Sequence, residues 1–274
     1  MSADQSAPTA ATGPVPPHPV LTGHYGAAVE RVDYIRRLFD ESAPAYDRIN
    51  AWMSLNTGGR YRYDALVRAG LGAGARVLDL ACGTGVMARH AQDLVGPAGT
   101  VLALDPSLPM LRQARRRGVT VLAAGTAESL PLPAGAVDFI SLGYALRHVA
   151  DLRVAFTELL RVLKPGGRLL ILEMVPPRAP VPYALTKVYL KYLVPGVTAL
   201  VTRNRQAHRL MQYYWETVDR CVPPAVVLDT LREVGFGTVQ RTVQFGLLNE
   251  YSACRPVPAT DGPDAACGPH ALTP

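Results

Sequence analysis

A glycine-rich turn follows the first strongly apolar run of the chain, and an aspartate ends the next run. The turn is Gly83-Thr84-Gly85, and a helical pattern begins directly after it. Glycines let a ligand approach the backbone closely, and the free N–H groups at a helix start attract negative atoms. Asp105 comes 20 residues after Gly85, where a carboxylate can accept both hydroxyls of a ribose. The spacing therefore predicts a nucleoside site.

A second carboxylate indicates which nucleoside fits. Asp79 lies inside the first apolar run, just ahead of the glycines, where it would repel a pyrophosphate and attract a cationic amine. S-adenosylmethionine (SAM) carries an ammonium group, a sulfonium and a ribose diol but no phosphate. Asp79 and Asp105 together therefore favour SAM over NAD. The alternative for Asp79 is local capping of the backbone.

Five segments of the chain carry a recognisable pattern. They are FDESAPAYDRINAWMSL (39–55), VLDLACGTG (77–85), GTAESLPLP (125–133), ALRHV (145–149) and RVLKPGGRLLILE (161–173). With them the sequence resembles the class I SAM-dependent methyltransferases, and more narrowly the ubiquinone/menaquinone C-methyltransferase (UbiE-type) family, over about residues 30 to 253. The glycine motif and KPGG occur in many methyltransferases, whereas APAYDRIN and the LRxV segment are narrower.

The resemblance implies a role for each part of the nucleoside site. The implied cofactor is SAM. Gly83, Thr84 and Gly85 would hold its methionine end and Asp105 its ribose. The remaining implied contacts are Thr126 and Ala127 at the adenine edge, Gly143 and Tyr144 at the sulfonium side, and Met110 packed on the adenine. Simple core packing is the alternative for Met110.

Three residues are candidates for the chemistry itself. Methyl transfer is an in-line displacement, so the protein aligns the two reactants and excludes water. Arg147 could stabilise the oxyanion that develops on a phenol-like acceptor, and His148 could serve as general base. By the resemblance, Tyr46 would close over the transfer centre. The alternatives are a helix-start role for His148 and a helix-to-sheet packing role for Tyr46.

The sequence departs from the family pattern where the acceptor should bind. Thr126 stands where the family has Asp or Asn, and His148 stands where it has Asn. Residues 58–61 (GGRY) and 212–215 (QYYW) also differ from the family's HRRW-like and YRYL stretches. The acceptor is therefore expected to be an aromatic, quinol or phenolic molecule, prenylated or from specialised metabolism, without a finer assignment.

The rest of the pattern predicts the fold that positions these residues. Apolar runs alternate with helical segments from residue 76 onward, which is typical of βαβ units. We expect an α/β fold with a doubly wound, mostly parallel seven-stranded sheet of the Rossmann-like class I type. Helices within 27–70 and a helical insertion at about 178–222 should cover its carboxyl edge. The predicted strands are 76–81, 100–105, 119–124, 137–142 and 168–173, with two more in 238–254, and the predicted helices are 85–95, 107–117, 149–163 and 225–234.

Composition limits the remaining possibilities. The chain has 274 residues, 18% of them charged, and a net charge of +6. The Pro- and Ala-rich ends, 1–22 and 255–274, are expected to be disordered tails around a domain at 23–254. No run is apolar enough to span a membrane, no secretory signal is visible, and the four cysteines lack metal-site spacing, so we expect a cytoplasmic protein without a metal.

The basic excess lies mainly within 178–220, which holds seven basic and two acidic residues among six aromatic ones. We interpret this segment first as a solvated helical face, with peripheral contact to an anionic membrane as the alternative. No nucleic acid partner is expected, and a homodimer is left open.

Three other functions compete with C-methylation. An O- or N-methyltransferase would use the same donor site. A repurposed fold could hold SAM only as a bound cation. An NAD(P)-dependent dehydrogenase would use a loose G-x-G-x-x-A match at 83–88 and the pair Tyr183 and Lys187, but Asp79 argues against it.

Overall fold

Seven strands form one sheet in the order β3-β2-β1-β4-β5-β7-β6. The structure is a computed structural model that describes residues 13–54, 56–202 and 205–258. Strands β1 to β5 pair in parallel, and β7 runs antiparallel to both β5 and β6. The predicted α/β class with a mostly parallel, seven-stranded sheet is confirmed. The strands are β1 Arg76–Leu80, β2 Thr100–Leu104, β3 Val121–Ala123, β4 Val137–Gly143, β5 Leu163–Met174, β6 Gly237–Gln244 and β7 Leu248–Cys254.

Helices cover both faces and one edge of the sheet. They are α1 Arg31–Met53, α2 Gly58–Arg68, α3 Val86–Val95, α4 Leu108–Arg116, α5 Leu152–Val162, α6 Pro180–Lys187, α7 Val194–Thr202, α8 Arg205–Asp219 and α9 Pro224–Glu233. A π-helical segment, Val188–Leu193, joins α6 to α7. No helix in the described part of the chain is both long and apolar enough to cross a membrane.

The central strands are mostly apolar because helices cover both of their faces. Leu78 and Leu80 of β1 and Ile140 of β4 are all but completely buried. One core cluster joins this sheet to α5 and α9 through Phe156 and Leu231, and another joins it to α2 and α3. This three-layer burial explains why mostly apolar runs, rather than alternating apolar and polar residues, marked the strands in the sequence.

A third core cluster forms the cap over the carboxyl edge of the sheet. It joins Ile49 of α1 to Leu190 of the π-helical segment and to Tyr213 and Trp215 of α8. The N-terminal helices and the insertion therefore pack on each other as well as on the sheet edge. The helices expected within 27–70 are α1 and α2, and the chain turns between them around Asn56, whose φ is +62°.

Two carboxylates on one face of α1 hold the cap against the sheet. Asp40 accepts a hydrogen bond from Ser107 Oγ at 2.5 Å, and Asp47 accepts one from Thr84 Oγ1 at 2.6 Å. Because residues seven apart lie on the same helix face, α1 spans the loops that follow β1 and β2.

The expectation of a disordered tail over 1–22 is wrong for residues 13–22. Leu21 and His18 are buried, the Val15 carbonyl accepts from the Leu152 N–H, and the Pro17 carbonyl accepts from the Val222 N–H. Composition missed this segment because its few anchors act through contacts distant in sequence. Residues 1–12 lie outside the described part of the chain.

The C-terminal tail expected over 255–274 also begins too early. The Arg255 N–H donates to the Gly167 carbonyl, and its guanidinium donates to the carbonyls of Leu160, Arg161 and Leu163. Residues 255–258 therefore continue the ordered domain, and residues 259–274 lie outside the described part.

Two predicted boundaries shift for local reasons. β5 begins at Leu163 rather than 168, since Leu163 already pairs with Val137 of β4, and the KPGG segment forms the irregularity before pairing resumes at Arg168. Helix α5 begins at Leu152 rather than 149, because Asp151 caps it by accepting from the Arg153 and Val154 N–H groups.

Candidate active site

The glycine turn after β1 adopts the geometry that its sequence predicted. Gly83 and Gly85 have φ angles of +55° and +79°, which glycine adopts without strain. A Cβ on Gly85 would also lie 2.9 Å from the Ala114 and Val119 side chains. Asp105 Oδ2 accepts the Gly83 N–H at 2.8 Å, and its Oδ1 accepts the Ser107 N–H at 2.8 Å. The ends of β1 and β2 are thus tied together at the carboxyl edge.

Two cavities meet at this edge. The smaller has a volume of about 130 Å³ and the larger about 870 Å³. Five residues line both, and so mark the point where they meet: Tyr46, Ala81, Gly83, Gly143 and Tyr144. A ligand that spans this junction would lie across the end of β1.

The predicted cofactor residues divide between the cavities. Asp105, Met110, Thr126 and Ala127 line the smaller one, and Asp79 and Thr84 line the larger one. Gly85 lines neither cavity, and it contributes the left-handed turn that starts α3. The structure therefore brings the predicted adenosine residues and the predicted methionine-end residues to adjoining spaces.

Burial raises the pKa of both aspartates, Asp79 and Asp105. Asp79 is 1% exposed, its Oδ1 accepts from Ser141 Oγ at 2.6 Å, and its Oδ2 has no partner among the described residues. Burial raises the pKa of Asp79 to about 7, against the lowering effect of Ser141. Burial likewise raises the pKa of Asp105 to about 6. A cationic group beside Asp79 would satisfy the unpaired oxygen and stabilise the charged carboxylate.

Comparison with known proteins shows the family. The model of the ubiE/COQ5 methyltransferase family matches residues 27–251. The chain belongs to this family. A ubiquinone/menaquinone biosynthesis C-methyltransferase UbiE from Syntrophotalea carbinolica is 34% identical over 81% of this chain and 94% of its own. A demethylmenaquinone methyltransferase from Thermus thermophilus is 34% identical over 80% of this chain and all of its own.

Solved structures share the fold at lower sequence identity. A SAM-dependent methyltransferase from Aquifex aeolicus has a TM-score of 0.53 and 20% identity, and covers 76% of this chain and 97% of its own. The [4+2]-cyclase SpnF has a TM-score of 0.60 and 19% identity, and the match covers 89% of this chain and 98% of SpnF. These structural similarities support the fold. The family membership identifies the chain as a SAM-dependent methyltransferase.

The residues present fit SAM. The unpaired, buried Oδ2 of Asp79 suits an ammonium group, and the backbone around Gly83 leaves room for close approach. SAM is the cofactor of this methyltransferase family.

Of the three candidates for catalysis, Tyr46 lies at the junction of the cavities. Its ring is 4.0 Å from the position that a Cβ on Gly83 would take, and 5.9 Å from the ring of Phe39. This location is compatible with the predicted closure over the transfer centre.

Arg147 is placed differently from the prediction. It is 1% exposed, forms a buried ion pair with Glu173, and lies 4.3 Å from the ring centroid of Tyr214. It lines neither cavity among those described. The sequence around Arg147 did not predict its pairing with Glu173, because Glu173 belongs to the next strand, β5. In this structure Arg147 therefore contacts Glu173 and Tyr214, and its role toward an acceptor stays a prediction.

His148 faces the smaller, adenosine-side cavity. Its Nδ1 lies 3.3 Å from the Tyr213 hydroxyl, and its ring stacks on Tyr213 and meets Phe39 edge-on. Burial, followed by the charges of Arg147 and Arg31, holds the pKa of His148 well below 6.5. The imidazole is neutral at neutral pH and is a weak base.

Replacing His148 with asparagine should leave the pH dependence of turnover unchanged near neutrality, because the wild-type imidazole does not titrate there. The measurement is kcat/KM against pH with methyl-labelled SAM. His90→Asn is the matched control, since His90 lies outside both cavities and its pKa is also lowered by burial. A profile that loses a limb near neutrality only in His148→Asn would instead identify His148 as the general base.

Sequence reasoning singled out residues 58–61 as a departure from the family pattern but missed Arg62 and Arg68, which lie on the same helix, α2, and also line the larger cavity. Three arginines of this helix lie in the cavity wall. Arg60 pairs with Asp64, and Arg68 pairs with Glu250. Arg62 donates to the Gly58 carbonyl at 2.9 Å and lies 4.8 Å from the Tyr144 ring centroid, with no carboxylate partner among the described residues. Helical spacing from Gly58 to Arg68 was the available signal.

Proposed function

We propose that this methyltransferase adds a methyl group to a ring carbon of a quinol-type acceptor bound in the larger cavity. The observation that carries the proposal is the amphipathic wall of that cavity beside the Asp79 site. Arginines of α2 line one part, and Met53, Tyr189, Leu190, Leu247 and Leu248 line another. Such a wall suits a ring with polar substituents and an apolar extension. The relatives named for ubiquinone and menaquinone biosynthesis support the same acceptor class.

The cofactor would span the junction of the two cavities. Asp105 would accept the ribose hydroxyls, with Met110, Thr126 and Ala127 around the adenine. Asp79 would pair with the ammonium group, and Gly83, Thr84, Gly143 and Tyr144 would surround the remaining part. When bound, SAM supplies an electrophilic methyl group. The chain aligns the acceptor carbon with it and excludes water from the junction.

Arg62 is the group that would hold the carboxylate at the methionine end. Both side chains line the larger cavity, and the charge of Arg62 lowers the pKa of Asp79. The amino acid end of SAM carries an ammonium and a carboxylate, so its site needs an acid for one and a base for the other. Among the described residues Arg62 has no carboxylate partner, unlike Arg60 and Arg68.

Replacing Arg62 with methionine should weaken binding of S-adenosylhomocysteine (SAH) by about tenfold or more, since a hydrogen bond to a charged group contributes roughly 1.5–3 kcal/mol. Calorimetry would measure the affinity. Methylthioadenosine, which lacks the amino acid end, should bind the variant and the wild type equally. Arg60→Met is the matched control on the same helix. Equal loss of both ligands would contradict the carboxylate assignment.

The proposed reaction is tested by incubating the protein with methyl-labelled SAM and a short-chain prenyl naphthohydroquinone. Mass spectrometry would locate the label. Label on the ring carbon supports C-methylation. Label on oxygen would establish an O-methyltransferase, and tight SAM binding without label on any quinol or phenol would favour the repurposed fold.

We further propose that the helical insertion contacts an anionic membrane surface. Residues 178–222 include seven Lys or Arg against two Asp or Glu. Val181, Leu185, Val188 and Tyr192 recur at helical spacing and are each more than half exposed. An exposed apolar stripe flanked by basic residues is typical of peripheral helices. A cytoplasmic enzyme could thereby take a lipophilic acceptor from the bilayer.

Vesicle flotation would test the membrane proposal. The protein should float with phosphatidylglycerol vesicles and not with phosphatidylcholine vesicles, and Leu185→Glu should abolish flotation. Flotation that is equal with both lipids, or unaffected by the substitution, would contradict it.

A further inference from the structure

The hairpin that joins β6 to β7 presents one aromatic side chain to solvent at the larger cavity. Phe245 is 88% exposed, more than any other large apolar side chain in the described part of the chain, and it belongs to none of the three core clusters. It nevertheless lines the larger cavity, together with Leu247 and Leu248. A side chain that both lines a cavity and is almost fully exposed lies at its opening. Phe245 is therefore part of the mouth of the cavity.

The backbone at Phe245 is unfavourable for a residue of this type. Its φ is +53°, and the next residue, Gly246, has a φ of +68°. A hairpin turn with two consecutive left-handed residues favours Asn, Asp or Gly at the first of them, and a bulky side chain there costs free energy. A single exposed apolar side chain is ordinary on a protein surface, but this one also lacks burial that could offset its backbone cost. The stability of the fold therefore does not explain the phenylalanine.

Left-handed backbone is concentrated around the same cavity. Among the described residues, five that are not glycine have a positive φ, and four of these line the larger cavity: Asn56, Ala81, Tyr144 and Phe245. Residues in such conformations cluster at ligand sites, where the surrounding structure holds them in place. Ala81 and Tyr144 lie at the junction of the two cavities, and Phe245 lies at the mouth. The pattern indicates that Phe245 belongs to the ligand site.

Hydrogen bonds fix the position of this turn. Gln244 pairs with Leu248 across the hairpin, and the Leu247 N–H donates to the Gln244 carbonyl at 3.2 Å. The Leu247 carbonyl accepts from the Val175 N–H at 3.0 Å, which ties the turn to the end of β5. A ligand that leaves the cavity therefore meets an aromatic ring on an ordered backbone, and little conformational entropy is lost when the two pack together.

The size and lining of the cavity indicate which part of a ligand reaches the mouth. Its volume of about 870 Å³ is near the upper end of the roughly 300–1,000 Å³ of sites for drug-sized ligands. Met53, Tyr189 and Leu190 give it an apolar wall away from the arginines of α2. The cavity can hold a ring and the first part of an apolar extension. A longer extension leaves through the mouth and passes Phe245.

We propose that Phe245 is a specificity-determining residue, which packs on the apolar extension of the acceptor where that extension leaves the larger cavity. This contact removes the aromatic ring and the extension from water together, so it favours acceptors with a long apolar chain over the bare ring. The inference deepens the proposed function and rests on it for the identity of the acceptor ring.

The Phe245→Asn variant tests this contact, because asparagine suits the left-handed turn and removes the aromatic ring. Its affinity for farnesyl naphthohydroquinone, measured by calorimetry on SAH-saturated protein in lipid-free reducing buffer, should fall about tenfold. Unprenylated 1,4-naphthohydroquinone should bind the variant and the wild type equally. Phe245→Leu, which keeps an apolar side chain, should retain most of the affinity. SAH affinity and thermal stability should not fall in Phe245→Asn, since the ring has no place in the core.

Val243→Asn is the matched control on the same hairpin. Val243 is 43% exposed and does not line the cavity, so its replacement should leave the farnesyl affinity unchanged. Equal farnesyl affinity in Phe245→Asn and the wild type would overturn the proposal, and if vesicle flotation were lost at the same time, the ring would belong to a membrane surface instead. Lower thermal stability of Phe245→Asn would also overturn it, because the ring would then support the fold.

The proposed reaction is read separately, from transfer of label by the wild type to the unprenylated ring. Label on its ring carbon, with equal farnesyl affinity in Phe245→Asn and the wild type, would support the reaction and overturn the role of Phe245. Weaker farnesyl binding in Phe245→Asn, with no label transferred to either compound, would support the role of Phe245 and refute the reaction.

Discussion

Replacing Asp105 with alanine should lower the affinity for SAH by at least about a hundredfold. The carboxylate would accept a hydrogen bond from each of the two ribose hydroxyls, and hydrogen bonds to a charged group contribute roughly 1.5–3 kcal/mol each. The substitution also frees the Gly83 and Ser107 N–H groups that Asp105 holds at 2.8 Å. Calorimetry with SAH and with methylthioadenosine measures the effect, and both ligands should be lost because both contain the ribose.

This result separates the ribose assignment from the neighbouring ones. Arg62→Met should spare methylthioadenosine, whereas Asp105→Ala should not. Asp229→Ala is the control for removal of a carboxylate, since Asp229 lies in an exposed pair with Arg232. Circular dichroism would confirm that the fold is kept. Unchanged binding by a folded Asp105→Ala protein would contradict the ribose assignment.

The same titration across pH should show affinity for SAH rising as the pH increases through about 7. The direction follows from Asp79, whose pKa burial raises from 3.8 to about 7, because a protonated carboxyl cannot pair with an ammonium group. In the ligand-free protein the same shift means that stability decreases as the pH rises from about 4 to 7, since the folded state binds the proton more tightly than the unfolded one.

The sequence predicted the parts of the site that depend on neighbours along the chain. Gly83 and Gly85 adopt positive φ angles, and Asp105 ends β2, because a strand–turn–helix unit is a local structure. The mostly apolar runs of β1 and β4 likewise indicated burial on both faces, since such a run can be read from each strand's own sequence.

What the sequence could not supply were contacts between distant segments. Arg147 and Glu173 are 26 residues apart, and Arg68 and Glu250 are 182 apart, so no local pattern connects them. The burial of Leu21 depends on α1 and the insertion packing together. The larger cavity is built from such contacts between α1, α2, the insertion and β6–β7, so the sequence indicated one part of its wall, residues 58–61, but not which segments lie against it.

Replacing Arg147 with methionine should reduce the free energy of unfolding by about 3–5 kcal/mol, because it leaves the Glu173 carboxylate buried and unpaired. Both side chains are 1% exposed. Burial disfavours the charge on Arg147, but Glu173 outweighs this effect and raises its pKa, so the pair is ionised. Urea-induced unfolding, followed by circular dichroism, measures the change. Arg153→Met is the control, since its partly exposed pair with Glu233 should contribute less than about 1 kcal/mol.

Adding Glu173→Gln to Arg147→Met should recover part of that loss, since no unpaired charge remains in the interior. The double variant also separates the structural role from the catalytic one. If Arg147 acts only by supporting the wall behind Tyr214, the stable double variant should keep measurable turnover with labelled SAM. Complete loss of turnover in a double variant that folds and binds SAH normally would instead place Arg147 in contact with the acceptor, because no defect of folding or cofactor binding could then account for it.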